Sequence, residues 1–146
     1  MATTMGNFKI QNIDLVTLAK EFGTPLYVYD AEKIVHQLRT LKTAFSDSEV
    51  KIKYAVKALS NLSVLKLLRS YGSDVDVVSI EEAQLALRAG FKPSQIMFTP
   101  SGVDFSEIVE GVDLKLTINL DNFSVLEKFG QKYQGTYPAS IRLNPH

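Results

Sequence analysis

Lys57 is the residue of this sequence that is best placed to perform covalent chemistry. It ends a segment, residues 50–57, in which polar and apolar residues alternate with the period of two that is typical of a β-strand. A lysine amine that is desolvated at a strand end loses part of its preference for the charged form and becomes a nucleophile suited to Schiff-base formation. The alternative is an ordinary solvated lysine, because lysine side chains are mostly exposed.

Few other residues offer nucleophilic or metal-binding chemistry. The chain has no cysteine, which excludes a thiolate nucleophile and a disulfide framework and suits a reducing compartment. Its two histidines, His36 and His146, do not have the spacing of a metal-ligand pair. We therefore expect no metal site, and we interpret His36 as a surface or packing residue of an amphipathic helix.

Strand-like and helix-like patterns alternate along the chain and must position Lys57. Helical periodicity or capping signals predict helices over residues 12–22, 30–45, 60–71, 79–89 and 104–110. A last helix, capped by Asp121 or Asn122, is predicted to run to residue 133. Residues 26–29, after Pro25, read as an extended run. Five strands are predicted, with carboxyl ends near Lys57, Ser79, Pro100, Leu120 and Asn144.

The spacing of the predicted strands favours a barrel. By subtraction, the strand ends follow one another at intervals of 22, 21, 20 and 24 residues. Units of this size give parallel strands, and their regular spacing suits a (β/α)₈ barrel better than a doubly wound sheet. Lys57 would then lie at the mouth of the barrel, where the active sites of such barrels are built. A complete barrel has eight strands and about 250 residues, so we expect the sequence to be the N-terminal part of a longer enzyme.

The composition is that of a globular protein without excess charge. The 146 residues carry 16 basic and 16 acidic side chains, and 45% of them are hydrophobic. The absence of a basic excess argues against nucleic-acid binding, and the hydrophobic share argues against disorder. No apolar stretch approaches the ~18 residues of a membrane helix, and the N-terminus lacks the regions of a signal peptide. We therefore expect a cytoplasmic protein with no membrane or nucleic-acid partner.

Several motifs, in order along the chain, resemble those of the pyridoxal-phosphate decarboxylases of ornithine, diaminopimelate and arginine. Residues 54–58, Tyr-Ala-Val-Lys-Ala, resemble the cofactor-lysine motif of this family, and residues 74–79, Asp-Val-Asp-Val-Val-Ser, resemble its second-strand motif. The segment 80–82 departs from the family, which usually has Gly-Gly-Glu there. The opening motif at residues 22–30 and the closing residues 142–146 are especially similar to the members that act on diaminopimelate.

The resemblance implies a partial pyridoxal-phosphate-binding (β/α)₈ barrel, TIM-like and alanine-racemase-like, with about five of the eight βα units present. Residues 30–146 would be the N-terminal part of the barrel, and residues 1–29 would pack with a C-terminal β domain that lies outside the sequence. Lys57 would form the Schiff base with the cofactor, and Asp76 would lie beside it and orient its amine. Arg142 would bind the cofactor phenolate or a substrate carboxylate. The alternatives are a turn residue for Asp76 and a barrel-mouth salt bridge for Arg142.

The implied activity is decarboxylation of meso-2,6-diaminopimelate to L-lysine and carbon dioxide, the last step of lysine biosynthesis. The full-length protein would be a homodimer that binds pyridoxal 5'-phosphate and a small amino-acid substrate. Two alternatives stay open: another barrel decarboxylase, specific for arginine, ornithine or carboxynorspermidine, and a non-catalytic binding protein that keeps the barrel strands. Five strands do not close a barrel, so the 146-residue chain alone is expected to be inactive and marginally stable.

Overall fold

A small hairpin and one helix open the part of the chain that the computed structural model describes, which is residues 8–143. Strands β1 (Lys9–Ile10) and β2 (Ile13–Asp14) pair antiparallel, and α1 (Leu15–Phe22) follows directly. The sequence predicted a single helix over residues 12–22. The helix instead begins three residues later, because the first residues form the second strand of the hairpin and the Asp14 side chain caps α1. A strand of two residues is too short to show a recognisable alternation.

The second helix begins at the predicted cap. The Asp30 carboxylate accepts a hydrogen bond from the Lys33 backbone N–H and so starts α2 (Ala31–Ala44). The same hydrogen bond lowers the pKa of Asp30 from its usual value. The preceding residues 26–29 lie outside any described strand, and Tyr27 is 84% exposed.

Five parallel strands form one sheet in which spatial order equals chain order. They are β3 (Lys53–Ala55), β4 (Asp74–Val77), β5 (Ile96–Phe98), β6 (Thr117–Leu120) and β7 (Ala139–Ile141). Each strand pairs only with its neighbours in sequence among these five. A doubly wound sheet reverses its strand order, whereas right-handed crossovers that always advance in one direction place every connecting helix on the same face. The sequential order confirms the predicted α/β fold, a partial (β/α)₈ barrel.

Four helices connect the strands of this sheet. They are α3 (Leu62–Ser70), α4 (Ile80–Arg88), α5 (Phe105–Asp113) and α6 (Phe123–Tyr133). The predicted cap Ser79 accepts from the Glu82 N–H. Of the two candidate caps of α6, Asp121 and Asn122, it is Asn122 that accepts from the Val125 N–H. Within residues 8–143, no helix combines the length and the apolar character that crossing a bilayer requires.

The alternation of side chains along the strands builds the core between sheet and helices. The strand residues that face the helices are fully or almost fully buried: Val75, Val77, Ile96, Phe98, Ile118 and Leu120. The residues of opposite parity are only half-buried: Asp74, Asp76, Met97, Thr117 and Asn119. Removal of the first set from water stabilises the fold by about 25 cal/mol per Å² of apolar surface. The face of the sheet that no helix covers therefore carries mainly polar side chains.

Several predicted element ends differ from the structure, and two of them affect the site or the packing. The strand predicted to reach Lys57 ends at Ala55, and a 3₁₀ turn, Val56–Ala58, carries the lysine. The helix predicted to stop at Gly111 continues through it to Asp113. A Cβ atom at Gly111 would lie 2.7 Å from Phe98 Cδ1, so this glycine lets α5 approach β5 closely. The closing residues 144–146, including the predicted end of the last strand, lie outside the described residues.

We expect alanine substitutions at two helical glycines to have opposite effects. Gly111→Ala should lower the free energy of unfolding by about 1–3 kcal/mol, because overpacking against Phe98 outweighs the gain in helix propensity. Gly130→Ala in α6 is the matched control, since a Cβ there meets no atom within 4 Å, and it should raise stability by about 0.5–1 kcal/mol. Denaturant unfolding of the full-length protein measures both values, and equal effects at the two sites would contradict the packing argument.

Candidate functional site

Three polar side chains form a hydrogen-bonded row across the helix-free face of the sheet. The Thr99 hydroxyl donates to Asp76 Oδ1 at 2.6 Å, and the Asn119 side-chain amide donates to the Thr99 hydroxyl at 3.3 Å. Thr99 is only 6% exposed. The row lies toward the carboxyl ends of β4, β5 and β6, which is the edge where barrel active sites lie.

The strand register brings these three residues together. Asp76 is paired with Met97, and Met97 with Thr117. The Thr99 backbone N–H donates to the Val77 carbonyl at 2.8 Å, so the ladder continues one residue past the end of β5. Side chains alternate along a strand, and therefore Thr99 faces the same side as Met97 and reaches Asp76 diagonally.

A second polar cluster lies at the amino end of the same face. The Lys53 ammonium lies 3.5 Å from the Asp74 carboxylate, its direct neighbour across the strands. The Gln95 amide donates to the other oxygen of Asp74 at 3.1 Å. Lys53 lies at the amino end of the strands, away from the carboxyl edge at which barrel active sites lie. Because its charge is paired with Asp74, it holds the two strands together and is poorly placed to act as a nucleophile.

Lys57 lies in the turn that directly follows β3 and is exposed. The turn is anchored by Val56, which is fully buried, and by the Tyr54 hydroxyl, which donates to the Leu59 carbonyl at 3.3 Å. Burial raises the pKa of Tyr54, so this phenol stays protonated and able to donate. Within residues 8–143 the ion pairs do not include Lys57, which leaves its amine available for other chemistry.

Asp76 lies near the carboxyl end of β4, the strand that pairs with β3. Its cross-strand neighbour is Ala55, two residues before Lys57, and the turn that carries Lys57 packs beside β4. The two side chains belong to adjacent strand ends, as predicted, but no ion pair within 4.0 Å joins them among the described residues. The Asp76 carboxylate instead binds Thr99.

Arg142 follows β7 directly. Its backbone N–H donates to the Leu120 carbonyl at 2.7 Å and continues the ladder, while its side chain is exposed. It lines a cleft of about 690 Å³ with the start of α6 and the apolar residues Phe123 and Leu143, which are 88% and 82% exposed. Arg142 is therefore separated from Asp76 by β5 and β6, at the same carboxyl edge of the sheet.

Sequence reasoning did not single out Thr99 or the pairing of Lys53 with Asp74. The available signal was polar residues on one parity of otherwise apolar strands, such as Thr99 after Ile96-Met97-Phe98. This alternation indicates which face of the sheet a residue occupies. It does not indicate which residue of the next strand lies opposite, because the local sequence does not specify the register between two strands.

Comparison with known proteins assigns this arrangement to a family. Residues 31–146 match the family described as pyridoxal-dependent decarboxylase, pyridoxal binding domain. The chain belongs to this family. The match confirms the resemblance that the sequence motifs indicate, and residues 31–146 include Asp76, Thr99 and Asn119.

Relatives of this pyridoxal-binding domain include named enzymes. Diaminopimelate decarboxylase of Methanothermobacter thermautotrophicus is 39% identical over 142 residues, which are 96% of this chain and 33% of that protein. The enzyme of Helicobacter pylori strain J99 is 40% identical over 133 residues, which are 88% of this chain and 33% of that protein. The chain thus spans about a third of the length of the curated relatives it matches.

Solved structures show the same fold. The crystal structure of diaminopimelate decarboxylase from Helicobacter pylori complexed with L-lysine matches with a TM-score of 0.80 and 38% identity, over 90% of this chain and 34% of that one. The M. jannaschii enzyme, in co-complex with L-lysine, matches with a TM-score of 0.86 and 29% identity, over 98% of this chain and 35% of that one. These structures confirm the predicted barrel class.

Proposed function

We propose that the protein containing this chain decarboxylates meso-2,6-diaminopimelate to L-lysine and carbon dioxide with pyridoxal 5'-phosphate. The observation that carries the proposal is the placement of Lys57. Its exposed amine lies outside the ion pairs of residues 8–143, at the carboxyl edge of the sheet of a pyridoxal-binding domain. The choice of diaminopimelate is supported by relatives of that activity that are 39% and 40% identical.

The described residues fit this cofactor chemically. An accessible lysine amine suits the aldehyde, a carboxylate on the neighbouring strand suits an ammonium, and an exposed guanidinium suits a phenolate or a carboxylate. These groups are Lys57, Asp76 and Arg142, and all three lie at the carboxyl edge of the sheet. When bound, pyridoxal phosphate supplies an electron sink for the carbon that loses carbon dioxide.

Each of these side chains would have a separate task in the reaction. Lys57 would hold the cofactor through its amine and yield that place to the substrate amine. Asp76 would orient the Lys57 amine and keep it within reach of the cofactor aldehyde. Arg142 would bind an anionic group of cofactor or substrate with its planar fork, which a point charge does not match. The inward face, closed to water by the rest of a barrel, would strengthen these polar contacts.

The remaining organisation is part of the same proposal. Residues 1–29 would pack against a C-terminal β domain, and the exposed Phe8, Phe22 and Tyr27 support a packing partner for this segment. The full-length protein would be a cytoplasmic homodimer.

The substrate is tested by assaying the purified full-length protein with pyridoxal phosphate. We expect release of L-lysine from meso-diaminopimelate with a kcat/KM at least about 100-fold above that for ornithine, arginine or carboxynorspermidine, because an unpaired polar group in the wrong complex is costly. Preference for one of the other substrates would contradict the proposed substrate and keep the reaction class. Cofactor binding without turnover of any of them would favour the non-catalytic alternative.

Lys57 is expected to be the residue that holds the cofactor. Borohydride reduction of the full-length protein with bound pyridoxal phosphate, followed by peptide mapping, should place the pyridoxyl group on Lys57. Lys53 serves as the internal control, because its ion pair with Asp74 lies at the other end of the strand. A label on Lys53, or an unchanged label in Lys57→Ala, would show that the assignment is wrong.

Arg142 is expected to matter for binding more than for folding. Arg142→Lys in the full-length protein keeps the positive charge but loses the planar, two-pronged hydrogen-bonding geometry, so cofactor affinity or kcat/KM should fall about 10-fold. The melting temperature should stay within about 2 °C of wild type, since the side chain is exposed. Unchanged affinity together with unchanged kinetics would contradict this role.

A further inference from the structure

The row of Asp76, Thr99 and Asn119 has a defined hydrogen-bond direction. The Asn119 amide nitrogen carries only hydrogens and no acceptor, so it donates to the Thr99 oxygen. A threonine hydroxyl has a single proton, and at 2.6 Å from Asp76 Oδ1 that proton is directed to the carboxylate. Each bond in this chain polarises the next, and the bond to the charged group is the strong one.

This arrangement uses only one oxygen of the Asp76 carboxylate. Among the hydrogen bonds of residues 8–143, Asp76 Oδ1 accepts from Thr99, whereas Oδ2 accepts from no group. The neighbour of Asp76 on β3 is Ala55, whose side chain is a methyl group, and the turn with Lys57 follows it. The second carboxylate oxygen is thus available to a cation.

We propose that Thr99, supported by Asn119, is a positioning residue that holds the Asp76 carboxylate so that its free oxygen serves the Lys57 amine. The inference rests on the proposed function, in which Lys57 and Asp76 bind pyridoxal phosphate. Thr99 itself touches neither cofactor nor substrate in this role. Its effect is transmitted through the rotamer of Asp76.

Burial makes Thr99 suitable for this task. At 6% exposure, its hydroxyl is not readily replaced by bulk water, so loss of the hydroxyl leaves Asp76 without the bond that orients it. A hydrogen bond to a charged group is typically strong enough that its loss changes an affinity about 10-fold or more. Asn119 is one bond further away and forms a longer, neutral contact at 3.3 Å, so its loss should have a smaller effect, about 3-fold.

The test uses the full-length apoprotein, titrated with pyridoxal 5'-phosphate and followed by the visible absorbance of the bound cofactor. Thr99→Val should weaken cofactor affinity about 10-fold, and Asn119→Leu about 3-fold. Thr99→Ser keeps the hydroxyl and should return the affinity to within about 2-fold of wild type. Thr117→Val is the matched control, because Thr117 is half-buried on the sheet face that carries Thr99 and does not bond to Asp76. The affinity of this variant for pyridoxal phosphate should equal that of wild type.

A double-mutant cycle separates positioning from a general structural effect. If Thr99 acts through Asp76, Thr99→Val should add less than about 2-fold to the loss already caused by Asp76→Ala, which removes the acceptor of the Thr99 hydroxyl. Three results would overturn the inference. They are an equal loss of cofactor affinity in both backgrounds, a Thr99→Ser affinity as low as that of Thr99→Val, and a Thr99→Val affinity as high as that of wild type. Should Thr99→Val fail to fold, as thermal unfolding would show, the Asn119→Leu and Thr99→Ser affinities decide alone.

Failure of the proposed function gives a different result. Wild-type protein that shows no cofactor absorbance at any concentration would overturn the proposed function and, with it, the role of Thr99. Wild-type binding that is weakened by Asp76→Ala but not by Thr99→Val would overturn the inference alone.

Discussion

The parallel ladder between strands that follow one another in the chain is the constraint on which the rest of this structure depends. Each strand has only three or four residues and pairs through its backbone with the strands next to it in chain order, on both sides for β4, β5 and β6 and on one side for β3 and β7. Parallel strands need a crossover, and right-handed crossovers that advance in one direction collect all the helices on one face. Sequential pairing therefore determines both the position of the core and the position of the polar face.

The two faces of the sheet differ in their side chains: one is apolar and packs against the helices, and the other carries polar groups. Side chains of one parity, such as Val77, Phe98 and Ile118, are buried under the helices and supply the apolar area that stabilises the fold. Side chains of the other parity have no helix above them, which permits carboxylate, hydroxyl and amide groups to occupy neighbouring strands. Asp76, Thr99 and Asn119 lie on that face and are joined by two hydrogen bonds, which reduces the cost of placing polar groups there.

The ladder has two edges in the described part of the chain, at β3 and at β7, whereas a closed barrel has none. An apolar cleft of about 560 Å³ lies beside β3 and α2, and the cleft with Arg142 lies beside β7 and α6. Exposed apolar residues such as Ile141 line these edges. In a complete eight-stranded barrel both edge strands are paired, and the relatives that this chain matches are about three times as long.

The sequence by itself determined the features that depend on local interactions. Asp30, Ser79 and Asn122 cap their helices because each side chain meets a backbone N–H within three residues, and such contacts do not depend on the rest of the fold. The period-two patterns and the regular spacing of strands similarly indicated parallel βα units. Several motifs in order along the chain, including the one around Lys57, identified the family.

Only the tertiary structure decided which residues meet across the sheet. The strand β3 ends at Ala55 and a 3₁₀ turn carries the fully buried Val56, whereas the alternation over residues 50–57 predicts a strand that continues to Lys57. Gly111 is predicted to end a helix, but it lies within α5. A glycine suits this position because the Phe98 side chain leaves no room for a Cβ atom. Thr99 meets Asp76 because the ladder sets their register. These contacts join residues 13 to 23 positions apart, so they depend on how whole strands and helices pack and not on the local sequence.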